Sequence, residues 1–274
     1  MPVALITGCS SGFGEALALA FVERGYRVIA TMRKPAAAPP SLKALAAAKP
    51  DDFVLAALDV TDAEMRKGII DFAVQRFGSL DLLINNAGVG ARGSFEDTPE
   101  SQWRTMFETN LFGPLDLVRL ALPVMRRQGA GRILNVTSVA AVLKTPLMAA
   151  YCASKHALDT ATAALDIETR SFGVRVLCVM PGPFKTSLPQ KSLDRQASAP
   201  YARIAAHFNA TFDGMEAKAP SDLTPVVNAA LAAATDADPV LRYTAGTDVV
   251  PILPPILQAL APLQAIGLRL TGQD

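Results

Sequence analysis

Tyr151 and Lys155 stand four residues apart in a stretch of helical periodicity, which places both side chains on one face where they can meet. An unperturbed phenol titrates at about pH 10, and a neighbouring ammonium that stabilises the phenolate turns it into a usable acid and base near neutrality. Ser138, at the end of a predicted strand, offers a hydroxyl that can hydrogen-bond a substrate oxygen and hold its carbon in place. Asn110 falls in the middle of a helical pattern. Asparagine is a mediocre helix former, so its presence there predicts a local distortion able to bind water. These four side chains together suit proton transfer at a carbon that bears oxygen.

A second group of residues suits a phosphate-rich ligand. In Thr7-Gly8-Cys9-Ser10-Ser11-Gly12-Phe13-Gly14, the three glycines let the backbone turn sharply and approach a pyrophosphate, backed by a helix N-terminus that favours negative charge. The second strand ends in Thr31-Met32-Arg33, near the place where an enzyme using NAD(H) would hold an acid for the ribose hydroxyls. Met32 stands there, and the guanidinium of Arg33 can pair bidentately with a 2′-phosphate that a carboxylate would repel. The expectation is therefore NADP(H) in preference to NAD(H), with Ser10 and Ser11 as further phosphate contacts. Asp59, followed by Val60 at the end of the third strand, is placed either to bond the adenine or to cap the helix after it.

The elements that must carry these residues alternate. Val3 to Ile6 is an apolar run before the glycine loop, and Glu15 to Arg24 has helical spacing that stops at Gly25. Strands are predicted at 27–31, 53–58, 82–84, 132–136, 174–180 and 241–244. Helices are predicted at 41–48, at 61–77 behind a Thr61-Asp-Ala-Glu64 capping box, at 99–128, at 149–171 and at 223–234. Strands alternating with helices of ten or more residues require a parallel sheet covered on both faces, because each parallel connection must cross over. The fold class is therefore α/β: one doubly wound, Rossmann-type domain over residues 1–274, with no linker or repeat to divide it. The segment at about 183–220 follows a strand and falls over the ligand end of such a sheet, so it is expected to be a helical substrate lid.

Composition bounds the partners. Lys plus Arg number 26 against 25 Asp plus Glu, which gives none of the basic excess that nucleic acid binding would need. Cys9, Cys152 and Cys178 are too few and too scattered for a disulfide framework or a zinc cluster; no metal is expected, and a reducing cytoplasm suits them. Val249 to Leu268 carries no formal charge, but Pro251, Pro254, Pro255 and Pro262 interrupt it, each costing a helix interior about 3 kcal/mol. The apolar segment at about 246–268 is therefore expected to be a short broken helix at the site's mouth or against another subunit, and no membrane span is expected.

Thr7-Gly-x-x-x-Gly-x-Gly14, Asn85-Asn-Ala-Gly88, Asn110, Ser138, Tyr151-x-x-x-Lys155 and Pro181-Gly182 with Thr186 resemble the short-chain dehydrogenase/reductase family in residues and in order. The resemblance is strong over residues 3 to 190, and the Cys-Ser-Ser of the loop, Thr-x-Arg33 and the long segment after Pro181 look most like its hydroxysteroid and retinol dehydrogenase branch. It implies that Tyr151 is the catalytic acid and base, that Lys155 tunes it and binds the nicotinamide ribose, that Ser138 orients the substrate, and that Asn110 completes a proton relay. It implies cofactor contacts from Asn86, Ala87, Gly88, Pro181, Gly182 and Thr186, while Asn85 ties neighbouring strands together. The chain departs from the valine or isoleucine that the family often has after Pro-Gly-x, because Pro183-Phe184-Lys185 places a bulky ring and a cation there.

Val139, Leu143, Met148 and Phe184 are the expected substrate contacts, mostly apolar and suited to a lipophilic alcohol, ketone or aldehyde. Homodimers or homotetramers are expected from the family. Two other readings use the same residues: an epimerase or dehydratase on the same fold, and a non-catalytic NADP(H) sensor.

Overall fold

A computed structural model describes residues 1–186 and 198–246. Seven parallel strands form one sheet in the order β3-β2-β1-β4-β5-β6-β7: β1 Val3–Ile6, β2 Arg27–Met32, β3 Phe53–Ala57, β4 Leu82–Asn85, β5 Gly131–Val136, β6 Val174–Pro181 and β7 Arg242–Ala245. The side chains of β1 alternate between two cores, Ala4 and Ile6 into one and Val3 and Leu5 into the other. Helices cover both faces, so all four are fully buried and the strand reads as an unbroken apolar run.

One face is covered by α1 (Phe13–Glu23), α2 (Pro40–Ala48) and α8 (Thr224–Thr235), through Leu17, Phe21, Leu42 and Val226. The other is covered by α3 (Ala63–Phe77), α5 (Gly113–Gln128) and α6 (Ala149–Thr169), through Ile69, Leu117, Val118 and Leu165. The strand order reverses at β1, which has β2 on one side and β4 on the other. A crevice opens beyond the carboxyl ends of strands at such a switch point.

Two elements differ from the sequence reading. The capping box shifts by one residue: Asp62, not Thr61, caps α3 by accepting from the Met65 amide at 2.9 Å, while the Thr61 hydroxyl donates to Asp59. The single helix expected at 99–128 is α4 (Glu100–Phe107), a π-helical turn at Glu108–Phe112, and then α5. Pro114 has no amide to give the Asn110 carbonyl four residues back, and its ring crowds that carbonyl, which widens the helix there. The expected lid contains α7 (Ala202–Lys218), but its residues 187–197 lie outside the described residues, as does 247–268 of the C-terminal apolar segment. Among the described residues no helix is long and apolar enough to cross a membrane.

Candidate active site

The crevice is a cleft of about 570 Å³ that runs from the glycine loop to the start of α6. Gly8, Ser10, Ser11, Gly12 and Phe13 line one wall, and Arg33, Asp59 and Val60 stand just beyond the carboxyl ends of β2 and β3. Asn86, Ala87 and Gly88 form the floor, with Tyr151, Lys155 and Thr186 at the other end. Met32, Thr61, Val89, Thr105, Thr109, Val136 and Thr137 also line it and were not anticipated as contacts. Thr105 and Thr109 are one helical turn apart just before Asn110, a spacing that would have pointed to a shared face.

The loop's shape follows from its glycines. Gly8 and Gly12 have φ of 74° and 61°, in the left-handed region that glycine enters without strain. A side chain at Gly14 would put its Cβ 2.3 Å from the Gly8 carbonyl oxygen, so only glycine lets α1 start against the loop. Gly14 therefore shapes the cleft without lining it. Thr7 fixes the loop to β4: its hydroxyl accepts from the amides of Asn86 and Ala87, both at 2.9 Å, and the Asn86 side-chain amide donates to the Thr7 carbonyl at 2.8 Å. Gly12 caps α1 without a side-chain hydrogen bond, leaving first-turn amides and the positive end of the helix for an anion.

Asp59 does not cap α3. Its Oδ1 accepts from the Thr61 amide at 3.0 Å and from the Thr61 hydroxyl at 2.8 Å. The amide's bond is the main reason that its carboxyl sits below the usual carboxylate range.

At the other end Tyr151 lies in the first turn of α6, and Lys155 follows one turn later. The Tyr151 phenol is hydrogen-bonded with Ser138, whose Oγ also accepts from the Ala140 amide at 3.1 Å. Lys155 Nζ donates to the Val136 carbonyl at 2.8 Å. Asn110 is fully buried in the π turn: its Oδ1 accepts from the Val89 amide at 2.9 Å, and its Nδ2 donates to the Val89 carbonyl at 2.9 Å and to Ser154 Oγ at 3.1 Å. Ser154 in turn donates to the Tyr151 carbonyl at 2.8 Å, so a continuous polar chain joins α6, the π turn and the loop after β4. Ser154 was not anticipated, because a serine inside a helical pattern carries no signal of its own.

The electrostatics depart from the expected tuning. Burial raises the Tyr151 phenol above its ordinary value, with the Ser138 hydrogen bond opposing, while burial lowers Lys155 to about 8. The dry surroundings penalise phenolate and ammonium alike, and the ammonium is aimed at the Val136 carbonyl. The arrangement therefore favours the protonated phenol on Tyr151.

The remaining expected residues fall outside the cleft wall. Pro181 ends β6, and the Gly182 amide donates to the Ala245 carbonyl at 2.8 Å. A Cβ at Gly182 would lie 2.1 Å from the Gly246 carbonyl oxygen, so this pair lets β6 and β7 end in close contact. Phe184 is a core residue, packed edge-on against Phe13 at 5.5 Å and against Gly246. Val139 and Leu143 pack beside Ala141, Val142 and Met180; Met148 packs beside Tyr151, Ala150 and Met106. Asn85 donates to Asn135 Oδ1 at 2.9 Å and to the Pro114 carbonyl at 3.3 Å, tying β4 to β5 and to α5.

The glycine cradle, the helix start without a side-chain cap and the Arg33 cation beyond β2 fit a nicotinamide dinucleotide. A profile of the short chain dehydrogenases matches residues 2–197. The chain is 40% identical to the uncharacterized oxidoreductase YusZ of Bacillus subtilis, over 75% of this chain and 73% of that one. It is 34% identical to a 3-ketodihydrosphingosine reductase of Bacteroides thetaiotaomicron, over 67% of this chain and 64% of that one. A short-chain dehydrogenase of Streptomyces avermitilis superposes with a TM-score of 0.81 at 33% identity, covering 100% of this chain and 99% of its own. A short chain dehydrogenase/reductase of Burkholderia phymatum, in complex with NAD, superposes at 0.80 with 25% identity over 96% and 95% of the two chains. A gluconate 5-dehydrogenase of Burkholderia cenocepacia, in complex with NADP and tartrate, superposes at 0.64 with 29% identity over 69% and 74%. A parallel sheet with a glycine loop at its switch point and a Tyr151–Lys155 helix at the far end of the same cleft accounts for these likenesses, and the chain belongs to the short-chain dehydrogenase/reductase family of oxidoreductases.

Proposed function

We propose that this chain is an NADP(H)-dependent oxidoreductase that interconverts a lipophilic alcohol and the corresponding ketone or aldehyde. The observation that carries the reading is one cleft lined by Arg33 and Met32 at one end and by Tyr151 and Lys155 at the other, with Ser138 hydrogen-bonded to the Tyr151 phenol. The bound nicotinamide supplies or takes the hydride. Ser138 holds the substrate oxygen, and Tyr151 gives that oxygen a proton during reduction or takes it during oxidation. Lys155 keeps a positive charge close to the reacting end, and the chain through Ser154 and Asn110 fixes α6 against the loop that carries Gly88.

The lipophilic substrate rests on Val139, Leu143 and Met148, three partly exposed apolar side chains flanking Ser138 and Tyr151. Likeness to a protein named as a 3-ketodihydrosphingosine reductase supports a ketone, and fits the hydroxysteroid and retinol branch that the sequence resembles. Homo-oligomerisation is proposed from the family alone.

Titration with NADPH and NADH tests the cofactor. NADPH is expected to bind at least about tenfold more tightly, as one charged pair warrants, and Arg33→Asp to reverse the order. Equal affinities for the two cofactors would defeat the reading. Net consumption of NADPH with a carbonyl panel would separate it from an epimerase, which returns its cofactor unchanged.

A further inference from the structure

Arg66 stands in the first turn of α3, where the positive end of the helix disfavours a cation. Its guanidinium bridges two elements. Nη1 donates to the Val60 carbonyl at 2.7 Å, and Nε donates to Asp116 Oδ2 at 2.6 Å in the first turn of α5. Both side chains of the pair are largely buried, 12% and 16% exposed, so the bridge is shielded from water. The other oxygen of Asp116 accepts from Arg119, which fixes the carboxylate. Gly113 also comes so close that a Cβ there would be 2.4 Å from the same Val60 carbonyl oxygen.

We propose that Arg66 is a positioning residue for cofactor binding: it clamps the Val60 carbonyl to the start of α5 and so sets the wall, Asp59 and Val60, against which the adenosine half of the cofactor lies. An ordinary bridge between α3 and α5 needs only the Asp116 bond. The second bond, into the backbone of a cleft residue, and the glycine-only approach of α5 to that same carbonyl are what a bridge alone leaves unexplained. The inference rests on the reading of the cleft as a dinucleotide site.

The test is binding to the full chain of NADPH, 2′,5′-ADP and ADP-ribose, all of which contain adenosine. Arg66→Met is expected to weaken all three by about tenfold, the loss of a charge-assisted hydrogen bond. Arg66→Lys, which can keep one of the two bonds, should recover part of the loss. Gly113→Ala, whose methyl would crowd the same carbonyl at 2.4 Å, should reproduce it. Arg76→Met is the control, since it removes an exposed α3 arginine paired with Asp51 and should leave the three affinities within about twofold. A merely structural role would lower the melting temperature without this shared loss among adenosine-bearing ligands. If Arg66→Met fails to fold, Arg66→Lys and Gly113→Ala carry the comparison. Folded variants that bind all three ligands as the wild type does overturn the proposal. A wild type that binds ADP-ribose but not 2′,5′-ADP overturns the NADP(H) preference and leaves the Arg66 test standing, whereas a wild type that binds none of the three overturns both.

Discussion

Lys155 is held at a cost that can be measured. Burial takes its ammonium from the ordinary 10.5 down to about 8, so the folded state binds the proton less tightly than the unfolded chain does. A folded value below the unfolded one means that the cost is fully present below about pH 8 and vanishes as pH rises to about 10.5. Lys155→Met also leaves the Val136 carbonyl without its donor, but that loss does not depend on pH. Relative to wild type, the variant's stability should therefore fall by about 3 kcal/mol between about pH 7.5 and pH 10.5, as denaturant unfolding would read it; a constant difference would contradict the dry site. At this scale the sequence was legible wherever spacing is local. Tyr151 and Lys155 show themselves by one helical turn. Phe184 did not, because an apolar ring after Pro-Gly looks the same in a core as in a pocket, and Arg66 did not, because its partner Asp116 is 50 positions away.

The elements show why some residue types stand where they do. Pro114 lies four residues after Asn110, and the loss of that amide is the physical origin of the π turn, so the kink was readable from the proline although the helical pattern ran through it. The helical lid expected at about 183–220 contains α7, but the bounds of that helix were not readable: Ala205 is the only buried side chain among its described residues, and without a buried stripe there is no apolar periodicity to mark where it starts and stops. The cap of α3 was misplaced by one residue because Thr61 and Asp62 are both good caps, and Thr61 is taken by Asp59. Gly14 gives the prediction at this scale. Gly14→Ala would set a methyl 2.3 Å from the Gly8 oxygen and 2.6 Å from Asn86 Nδ2, forcing α1 away from the loop. NADPH affinity should fall by about tenfold or more with far-ultraviolet circular dichroism retained, and unchanged affinity would show that the loop does not depend on this contact.

For the whole molecule, the alternation of strands and helices sufficed to read a doubly wound sheet, because each parallel crossover needs a helix and each strand must be apolar on both faces. The sheet brings β1, β2 and β4 together at one end and the start of α6 to the other side of the same cleft, so residues from 8 to 186 line one cleft. Saturation of that cleft should stabilise the fold as a unit: NADPH at about a hundred times its Kd adds about 2.7 kcal/mol, a rise of about 5–10 °C in Tm for a chain of this size. No rise would show that the cofactor does not bind the folded state. The central claim is that the two ends of the cleft act in one reaction, and Tyr151→Phe tests it most directly, because it removes the proton while keeping the ring. Measured by NADPH consumption against a panel of lipophilic ketones and aldehydes, the wild type should turn over, and the variant should bind NADPH as tightly but react about a thousandfold more slowly. Equal rates in wild type and variant across the panel would contradict the account.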